Sequence, residues 1–467
     1  MKELRRNMRL VGTLVVIMFV GLAAWFAMTV YTQGSIWASD AHNTRLSASN
    51  TLRGDITDRH GNLLATTAED GSRQYTQNTA ARRALSQTVG DIAGMSGVGV
   101  ETFHSSELMD ISTSLIDRLQ ELFRGASHKG ASIKLTIDGR LQAYVASQFP
   151  EGYSGAVCVV NYRTGEILAM VSRPDYDPYD IMSRSDAQVE DSAFLNRCLQ
   201  GLYTPGSVFK IVTLAAALSY DPAVVGQTFS CAGAWDFQSG RIVCAGNSAH
   251  GNVDLKTAFK KSCNVTFGKL AYQLGLERLR ATAESLGFNE NFKFGDFVVY
   301  NSSFPRQAGM SGLVWAGVGQ GEVLVTPLHM AMIAASVANR GVMMKPMLIE
   351  RVTNALGSDI SVGMPVAYRQ VMSEDVAMKI AEYMYEAVQS GTATRAKIKN
   401  YTVCGKTGSA QISDDKDVDT NAWFAGFLFD DAHPYALSIV IERGGAGARM
   451  PSELAAKTLK KAIEYVG

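Results

Sequence analysis

Ser207 and Lys210 lie three positions apart in the run YTPGSVFKIVTLAAALS, and together they could perform nucleophilic catalysis. Residues at this spacing share one face of a helix. The rest of the run is nearly all apolar, so the helix is expected to be buried. Burial disfavours the charge of a lysine, and a lysine of lowered pKa beside a serine is a base beside a nucleophile. The alternative is a structural serine with a lysine whose amine extends to solvent.

Two residues predict where this helix begins. Thr204 can cap it and Pro205 suits its first position, which puts Ser207 in the first turn. The positive end of the helix dipole then favours negative charge on the serine oxygen. A second Ser-x-x-Lys match, Ser413 to Lys416, lies in a charged stretch where nothing buries the lysine, and we interpret it as chance.

Ser262 and Asn264 lie between two helical runs, DLKTAFKK and VTFGKLAYQLG. A hydroxyl at this point could relay a proton to or from Lys210. The amide of Asn264 both donates and accepts hydrogen bonds, which suits a peptide group of a substrate. Ser and Asn are also good helix caps, and for this pair alone capping is the favoured interpretation. Cys263, between them, is interpreted as a packing residue.

Lys406, Thr407, Gly408 and Ser409 form a third group, within VCGKTGSAQ. The run is predicted to be a strand at a sheet edge, where Gly405 and Gly408 let another backbone approach closely. Such an edge can pair with an extended peptide, and the cation and hydroxyls suit a carboxylate. One alternative is a turn with exposed polar side chains. Another is a phosphate loop, but its GxxxxGK pattern is absent from the sequence.

The elements that must position these groups follow from hydrophobic periodicity. Strand-like runs occupy 155–161, 165–171, 401–405, 423–429 and 435–442, and a helix is predicted to begin at Pro451. Helical patterns occupy 207–219, 254–261, 265–276, 326–340 and 374–389. Strands at both ends with helices between them predict an α+β fold, an antiparallel sheet flanked by helices plus a helical subdomain.

Composition limits the class of protein. The chain has 467 residues, of which 46% are hydrophobic and 19% charged, which is typical of globular proteins. Lys+Arg and Asp+Glu are both 44, so charge gives no reason to expect nucleic-acid binding. The sequence has no CxxC, no HExxH and no other Cys/His ligand spacing, so a structural zinc site is not expected. Cys231 and Cys244 could form a disulfide or could equally be packing thiols.

Residues 10–30 contain no charge and are mostly apolar. At about 1.5 Å per residue such a helix spans roughly 30 Å, enough to cross a bilayer core. Four basic residues precede the run, and the next is Arg45, so the N-terminus is predicted to be cytoplasmic and the rest extracytoplasmic. A cleaved signal peptide and a buried soluble helix are the alternatives.

The chain is therefore divided into a cytoplasmic tail (1–9), a transmembrane anchor (10–30), a small extended spacer (31–131) and a main domain (132–467). The spacer is polar and weakly periodic. Within it RGDITDRHGNLLA, residues 53–65, predicts two short strands around a turn, and 115–123 predicts a helix. Part of it, such as 67–85, is expected to be flexible.

The order S-x-x-K, S-x-N, K-T-G resembles the active-site signature of the penicillin-binding proteins and serine β-lactamases. RGDITDRHGNLLA, TGEILAMVSRPDYDP, FLNRCLQGLYTPGSVFKI, GVGQGEVLVTPLHMA and GKTGSAQ followed by NAWFAGF further resemble class B penicillin-binding proteins. Three positions depart from the family pattern. His60 stands where Asn is common, Ser409 stands where Thr is common, and Cys263 is the middle residue of the second motif. None of these removes a needed functional group.

The resemblance implies a peptidoglycan D,D-transpeptidase that works by acyl transfer. Ser207 would attack the penultimate D-Ala carbonyl of a stem peptide ending in D-Ala-D-Ala, and Lys210 would take its proton. Ser262, with Lys406, would protonate the leaving D-Ala, and Asn264 would hold the donor peptide. An amine of a neighbouring stem would then resolve the acyl-enzyme.

The third motif would bind the substrate. The backbone N–H groups of Ser207 and Ser409 would form the oxyanion hole, and Thr407, Gly408 and Ser409 would hold the terminal carboxylate. β-Lactams would acylate Ser207, no cofactor would be needed, and a SEDS-type glycan polymerase is the expected partner in the bacterial membrane. An anchored β-lactamase, a D,D-carboxypeptidase and a non-enzymatic scaffold or sensor are the alternatives.

Overall fold

The computed structural model describes residues 8, 12–25, 28–29, 52–109, 129–182, 189–292, 294–411, 420–445 and 449–466. The strands are β1 (Ile56–Thr57), β2 (Leu63–Thr67), β3 (Arg73–Tyr75), β4 (Ser132–Leu135), β5 (Gly155–Asn161), β6 (Ile167–Arg173), β7 (Thr228–Cys231), β8 (Ala234–Phe237), β9 (Gly240–Val243), β10 (Gly251–Asp254), β11 (Val342–Met344), β12 (Ile349–Thr353), β13 (Asp359–Val362), β14 (Ala367–Gln370), β15 (Val403–Ala410), β16 (Asn421–Leu428) and β17 (Tyr435–Ile441).

The helices are α1 (Thr79–Ala84), α2 (Ser86–Val89), α3 (Val100–Phe103), α4 (Ser105–Leu108), α5 (Gly139–Gln148), α6 (Pro178–Met182), α7 (Arg197–Gln200), α8 (Lys210–Tyr220), α9 (Leu255–Lys260), α10 (Asn264–Ser285), α11 (Met310–Ala316), α12 (Pro327–Ala338), α13 (Glu374–Ser390) and α14 (Arg449–Tyr465). Short 3-10 turns lie at Asp191–Phe194, Gly206–Phe209, Pro222–Gly226, Ala245–Asn247 and Thr394–Ala396.

A five-stranded antiparallel sheet forms the centre of the main domain, in the order β15-β16-β17-β5-β6. Both of its faces are covered. In β5, Ala156 and Cys158 pack in the core that includes α8, whereas Val157 and Val159 pack with α5 and α14 on the other face. Successive side chains of a strand point to opposite faces, so a strand buried on both faces is continuously apolar. β5 and β6 are adjacent and pair antiparallel, which confirms the hairpin predicted at 155–171.

The predicted arrangement of a flanked sheet plus a helical subdomain is confirmed, with one local correction. The first motif begins as the 3-10 turn Gly206–Phe209, and α8 follows it. Thr204 does not cap this turn with its side chain. Instead, its carbonyl accepts a hydrogen bond of 3.1 Å from Trp423 Nε1 on β16, a tertiary contact that the local sequence does not reveal.

A six-stranded second sheet joins segments that are far apart in the chain, in the order β13-β12-β4-β1-β2-β3. The predicted strands around the turn at residues 59–62 are confirmed as β1 and β2. β12 and β13 come from beyond residue 348, so strands on both sides of residue 131 share this sheet. The domain boundary at residue 131 stays a prediction.

Residues 67–85, expected to be flexible, instead contain β3 and α1. Buried and half-buried ion pairs hold them. Arg73 Nε donates to Glu101 Oε1 at 2.6 Å, and Arg82 donates to both carboxylate oxygens of Asp177 at 2.8 and 2.7 Å. These partners lie 28 and 95 residues away in the sequence. The polar local sequence therefore could not predict that residues 67–85 adopt an ordered structure. The predicted helix at 115–123 lies outside the described residues, as does the second Ser-x-x-Lys match.

The predicted anchor is described over residues 12–25, which are helical and exposed. In the described ranges of the chain, no helix combines the length and the apolar character needed to cross a membrane.

The turn Gly206–Phe209 packs directly on the backbone of β15. Gly206 N donates to Gly319 O at 2.8 Å, and its φ is +57°. A Cβ at Gly206 would lie 2.5 Å from Ser409 O. Residues that carry a side chain rarely adopt this φ, and the space at Gly206 is too small for a methyl group. Glycine is therefore required on both grounds.

We expect Gly206→Ala to destabilise the protein more than Gly152→Ala. Gly152 has a φ of +77° with nothing within 4 Å of its Cβ position, so its variant bears only the backbone cost of about 1–2 kcal/mol. Gly206→Ala adds overpacking, typically about 1–3 kcal/mol. Urea unfolding of both variants beside the wild type measures this difference. Equal losses would show that the turn and β15 are not held in close contact.

Candidate active site

The three motifs converge from distant parts of the chain. Ser207 lies in the 3-10 turn Gly206–Phe209, and Lys210 is the first residue of α8. Ser262 lies in the short link between α9 and α10. Lys406 is on β15, which is at the edge of the central sheet as predicted. The structure thus brings the predicted residues into one site.

Lys210 is completely buried and makes its hydrogen bonds to the second motif. Its Nζ donates to Ser262 O at 2.7 Å, to Ser262 Oγ at 3.2 Å and to Asn264 Oδ1 at 2.7 Å. Burial lowers the pKa of Lys210 to about 7, because desolvation disfavours the ammonium form. The alternative of a lysine that reaches solvent is therefore wrong, and the amine can act as a base near neutral pH.

Lys406 is also completely buried, and it approaches the same serine from the other side. Its Nζ donates to Ser262 Oγ at 2.9 Å and to Thr407 O at 2.8 Å. Burial, and then the charge of Lys210, lower the pKa of Lys406 well below its usual value. The Ser262 hydroxyl therefore bridges two lysine amines, an arrangement through which a proton can pass between them.

The link that carries Ser262 has an unusual backbone. Ser262 has a φ of +58°, which is uncommon for a residue with a side chain. Such conformations cost about 1–3 kcal/mol and persist where the surrounding structure holds them. Here Ser262 N donates to Phe259 O at 3.0 Å and Cys263 N to Ala258 O at 2.8 Å.

The capping interpretation of Ser262 and Asn264 is wrong. Cys263 is the N-cap of α10, and its sulfur accepts a hydrogen bond from Thr266 N. Asn264 Oδ1 accepts from Lys210, and its Nδ2 donates to Val243 O at 2.8 Å. The Asn264 amide thus holds the second motif beside Lys210 through its oxygen and one of its two N–H groups.

The Ser207 side chain is half-buried and has no hydrogen-bond partner among the described residues. Its main chain is held against the third motif. A Cβ at Gly408 would lie 2.8 Å from Pro205 O and 3.1 Å from Val208 N. This close approach sets the backbone of the Ser207 turn beside Gly408 and Ser409, where two N–H groups could serve one oxyanion.

Two polar contacts of the third motif were missed by the sequence reasoning. The hydroxyl oxygens of Thr392 and Thr407 are 2.6 Å apart, and Gln320 Nε2 donates to Ser409 O at 3.4 Å. Gln320 belongs to the run GVGQGEVLVTPLHMA, which carried part of the family resemblance, so a signal for it existed. Thr392 had none, because only the tertiary structure brings it to β15.

One further set of ligand-type side chains borders the second motif. Cys231, Cys244, His250 and Cys263 have ligand atoms that all lie within 4.8 Å of one another. A structural zinc site was not expected from the sequence, because these residues match no recognised Cys/His ligand spacing. The six cysteines are all free and buried, so the structure contains no disulfide between Cys231 and Cys244.

Comparisons with known proteins agree with this geometry. The family model described as the penicillin-binding protein transpeptidase domain matches residues 155–464. The peptidoglycan D,D-transpeptidase PbpA of Mycolicibacterium smegmatis is 29% identical over 463 residues, 94% of each chain. The stage V sporulation protein D of Bacillus subtilis is 31% identical over 67% of this chain and 50% of its own.

Solved structures show the same similarity. The ceftriaxone acyl-enzyme complex of penicillin-binding protein A from M. tuberculosis superposes with a TM-score of 0.81 at 26% identity, covering 89% of this chain and 99% of that one. The D,D-transpeptidase domain of a peptidoglycan glycosyltransferase from Eggerthella lenta gives 0.75 at 29% identity, with 90% and 100% covered. This chain therefore belongs to the penicillin-binding protein transpeptidase family, as a class B penicillin-binding protein and a serine-type D,D-transpeptidase.

Proposed function

We propose that this enzyme cross-links peptidoglycan stem peptides through an acyl-enzyme on Ser207, with loss of the terminal D-Ala. The observation that carries the proposal is the Ser262 hydroxyl, 3.2 Å from the amine of Lys210 and 2.9 Å from that of Lys406. Relatives named peptidoglycan D,D-transpeptidases support the substrate, and neighbours captured as acyl-enzymes support the covalent step.

Acylation begins when Ser207 Oγ attacks the penultimate D-Ala carbonyl of a stem that ends in D-Ala-D-Ala. The C–O bond forms as the hydroxyl proton passes to Lys210, whose lowered pKa makes a neutral amine available. The backbone N–H groups of Ser207 and Ser409 stabilise the oxyanion. Each such donor is typically worth about 3–4 kcal/mol.

The acyl-enzyme forms when the peptide C–N bond breaks. The leaving D-Ala nitrogen takes a proton from the Ser262 hydroxyl, which is replenished from Lys406 or Lys210 through the hydrogen bonds between them. An amine of a neighbouring stem peptide then attacks the ester carbonyl, gives up a proton along the same route and releases Ser207. The product is a new peptide bond between two stems.

The third motif orients the donor stem. Thr407, Gly408 and Ser409 bind the terminal carboxylate, and the donor peptide extends along the edge of β15. Asn264 donates one amide hydrogen to Val243 O, so its second hydrogen is available to the donor peptide. β-Lactams occupy the same position and acylate Ser207. Solved relatives captured as acyl-enzymes with ceftriaxone and with penicillin G support this inhibition.

The arrangement in the membrane is also proposed. Residues 1–9 are cytoplasmic, 10–30 are a single-pass anchor, 31–131 are a spacer, and 132–467 are the transpeptidase domain outside the bacterial membrane. The uncharged run and its basic N-terminal flank support this topology. A SEDS-type glycan polymerase that contacts the anchor and the spacer is the proposed partner.

Ser207→Ala is expected to abolish covalent labelling by a fluorescent penicillin, because it removes the nucleophile. Ser219→Ala, at the exposed end of α8, should label like the wild type. Labelling and its decay are followed on gels with the full chain in detergent. Rapid loss of the wild-type label would indicate a β-lactamase, and D-Ala release with water alone as acceptor would indicate a carboxypeptidase. A folded wild-type protein that takes up no label would support the alternative of a non-enzymatic scaffold.

Ser262→Ala and Ser262→Gly should both slow acylation by about 10²–10⁴-fold, the usual contribution of a positioned proton donor or acceptor. They differ in stability, because Gly tolerates the positive φ at this position and Ala does not. The Gly variant should be the more stable by about 1–2 kcal/mol. Stopped-flow acylation and urea unfolding measure the two effects. If Ser262→Gly acylates at the wild-type rate, the hydroxyl has no catalytic role.

The full chain is expected to stay with bacterial membranes during an alkaline carbonate wash. Val16→Arg with Phe19→Arg should release it, because each arginine at a span centre costs about 2.5–3.5 kcal/mol. Gln33→Arg with Ser35→Arg, outside the run, is the matched control and should stay bound. An N-terminus found after residue 30 in the mature protein would support a cleaved signal peptide instead.

A further inference from the structure

A strip of basic side chains covers the face of the central sheet on which α14 packs. We call it the basic strip, and it consists of the basic residues of 394–399 and of α14 (Arg449–Tyr465). These two segments contain seven basic and two acidic residues, a net charge of +5. The whole chain has a net charge of zero, so positive charge is concentrated on this face.

The two segments of the basic strip lie side by side on one core. In 394–399, Ala396 and Ile398 are buried, and the basic residues that alternate with them are exposed. Ala396 and Ile398 pack in the same core as Leu454 and Leu459 of α14. Because both segments bury their apolar side chains in this core, their basic side chains project together into solvent.

Both acidic residues of the strip are already paired. Glu453 lies 2.9 Å from Arg449 and 3.7 Å from Arg395, so one carboxylate serves two guanidinium groups. Glu464 pairs with Lys461 at 2.6 Å. The remaining positive charges of the strip therefore have no acidic partner within these two segments.

Three lysines of the strip, Lys397, Lys399 and Lys460, have no carboxylate oxygen within 4 Å among the described residues. Lys457 donates to Gln148 Oε1 at 3.0 Å, which is a neutral partner. A surface with clustered charges of one sign creates a potential that attracts ligands of the opposite sign. The basic strip is therefore suited to a ligand that carries several negative charges.

The basic strip begins close to the substrate site. Thr392, whose hydroxyl oxygen is 2.6 Å from that of Thr407 in the third motif, precedes Arg395 by three residues. A chain spans at most about 3.6 Å per residue, so the two positions are no more than about 11 Å apart. A ligand that occupies the edge of β15 can thus continue onto the strip.

We propose that the basic strip binds the peptidoglycan strand to which the reacting stem peptide belongs, through the carboxylates of its other stems. This inference rests on the proposed function and extends it from one stem peptide to the polymer. Every stem that ends in D-Ala-D-Ala carries a terminal carboxylate, so the strand is a polyanion. Lysine amines on flexible side chains can follow carboxylates whose spacing varies. The attraction holds the strand near Ser207 without fixing one register.

An anionic membrane surface fits the basic strip less well. Helices that lie in a membrane interface combine basic residues with exposed apolar side chains that enter the lipid. Among the described residues, no large apolar side chain of 394–399 or 449–466 is exposed. The apolar face of α14 is buried against the sheet, so the strip offers charge without apolar insertion. This favours a polyanion in water.

Co-sedimentation of the full chain in detergent with purified sacculi tests the proposal. Binding should weaken about 10-fold between about 0.1 M and about 1 M salt, because the screening length falls from about 10 Å to about 3 Å. Lys397→Glu with Lys399→Glu and Lys460→Glu should weaken binding about 10-fold or more at the lower salt concentration. The corresponding triple change to arginine keeps the charge and should bind like the wild type.

The matched control reverses three exposed arginines outside the strip, with Arg241→Glu, Arg278→Glu and Arg306→Glu. It has the same net charge as the strip variant, so it should bind sacculi like the wild type. Equal binding by the strip variant and the wild type would overturn the inference. An equal loss in the control would also overturn it, because the whole protein's charge rather than the strip would then bind the wall.

Treated sacculi identify the anion. Sacculi stripped of phosphodiester polymers by hydrofluoric acid should bind as before, whereas sacculi whose carboxylates have been converted to amides should bind about 10-fold more weakly. The opposite pattern would assign the strip to a phosphodiester polymer and overturn the inference. Insertion into phosphatidylglycerol vesicles should be the same for the strip variant and the wild type. A strip variant that loses vesicle binding but keeps sacculus binding would show that the strip faces a membrane.

Activity measurements separate this inference from the proposed function. The strip variant should be acylated by fluorescent penicillin at the wild-type rate, and its kcat and KM for release of D-Ala from a short stem peptide should be unchanged. For cross-linking of polymeric strands its KM should rise about 10-fold at an unchanged kcat. A wild-type protein that binds sacculi through the strip but is not acylated would contradict the catalytic proposal alone. Equal KM values for polymeric strands would contradict the strip alone.

Discussion

Two lysine side chains buried beside one serine hydroxyl form the constraint on which the rest of the site depends. A buried ammonium is unfavourable unless hydrogen-bond acceptors surround it or it loses its proton. Lys210 and Lys406 meet this requirement through Ser262, Asn264 and the carbonyl of Thr407. The acceptors come from different segments, so the turn before α8, the α9–α10 link and β15 must all be in register. Activation of the nucleophile is therefore a property of the tertiary structure.

Backbone conformation supports this arrangement at two points. Gly206 lets the nucleophile turn contact β15, which aligns the Ser207 and Ser409 main chains. Ser262 adopts a left-handed conformation that a serine does not favour by itself, and its neighbours hold it there.

The central sheet explains how such a site can be rigid. It is covered on both faces, by the α8 core on one and by α5 and α14 on the other. The edge strand β15 carries the third motif, so a substrate strand can pair there without disturbing the core. The six-stranded sheet includes β4 and β12 beside strands from residues 56–75, so the N-terminal segments and the transpeptidase domain are packed as neighbours.

The sequence alone determined the fold class, the helix and strand periods, and the three motifs with their family resemblance. It could do so because burial imposes periodic apolar patterns and because the chemistry requires particular residues at short, fixed spacings. Only the tertiary structure decided the contact of Thr204 with Trp423, the order of residues 67–85, and the contact of Thr392 with the third motif. It alone also brought Cys231, Cys244, His250 and Cys263 together. Each of these depends on partners far away in the chain, whose distances no local pattern encodes.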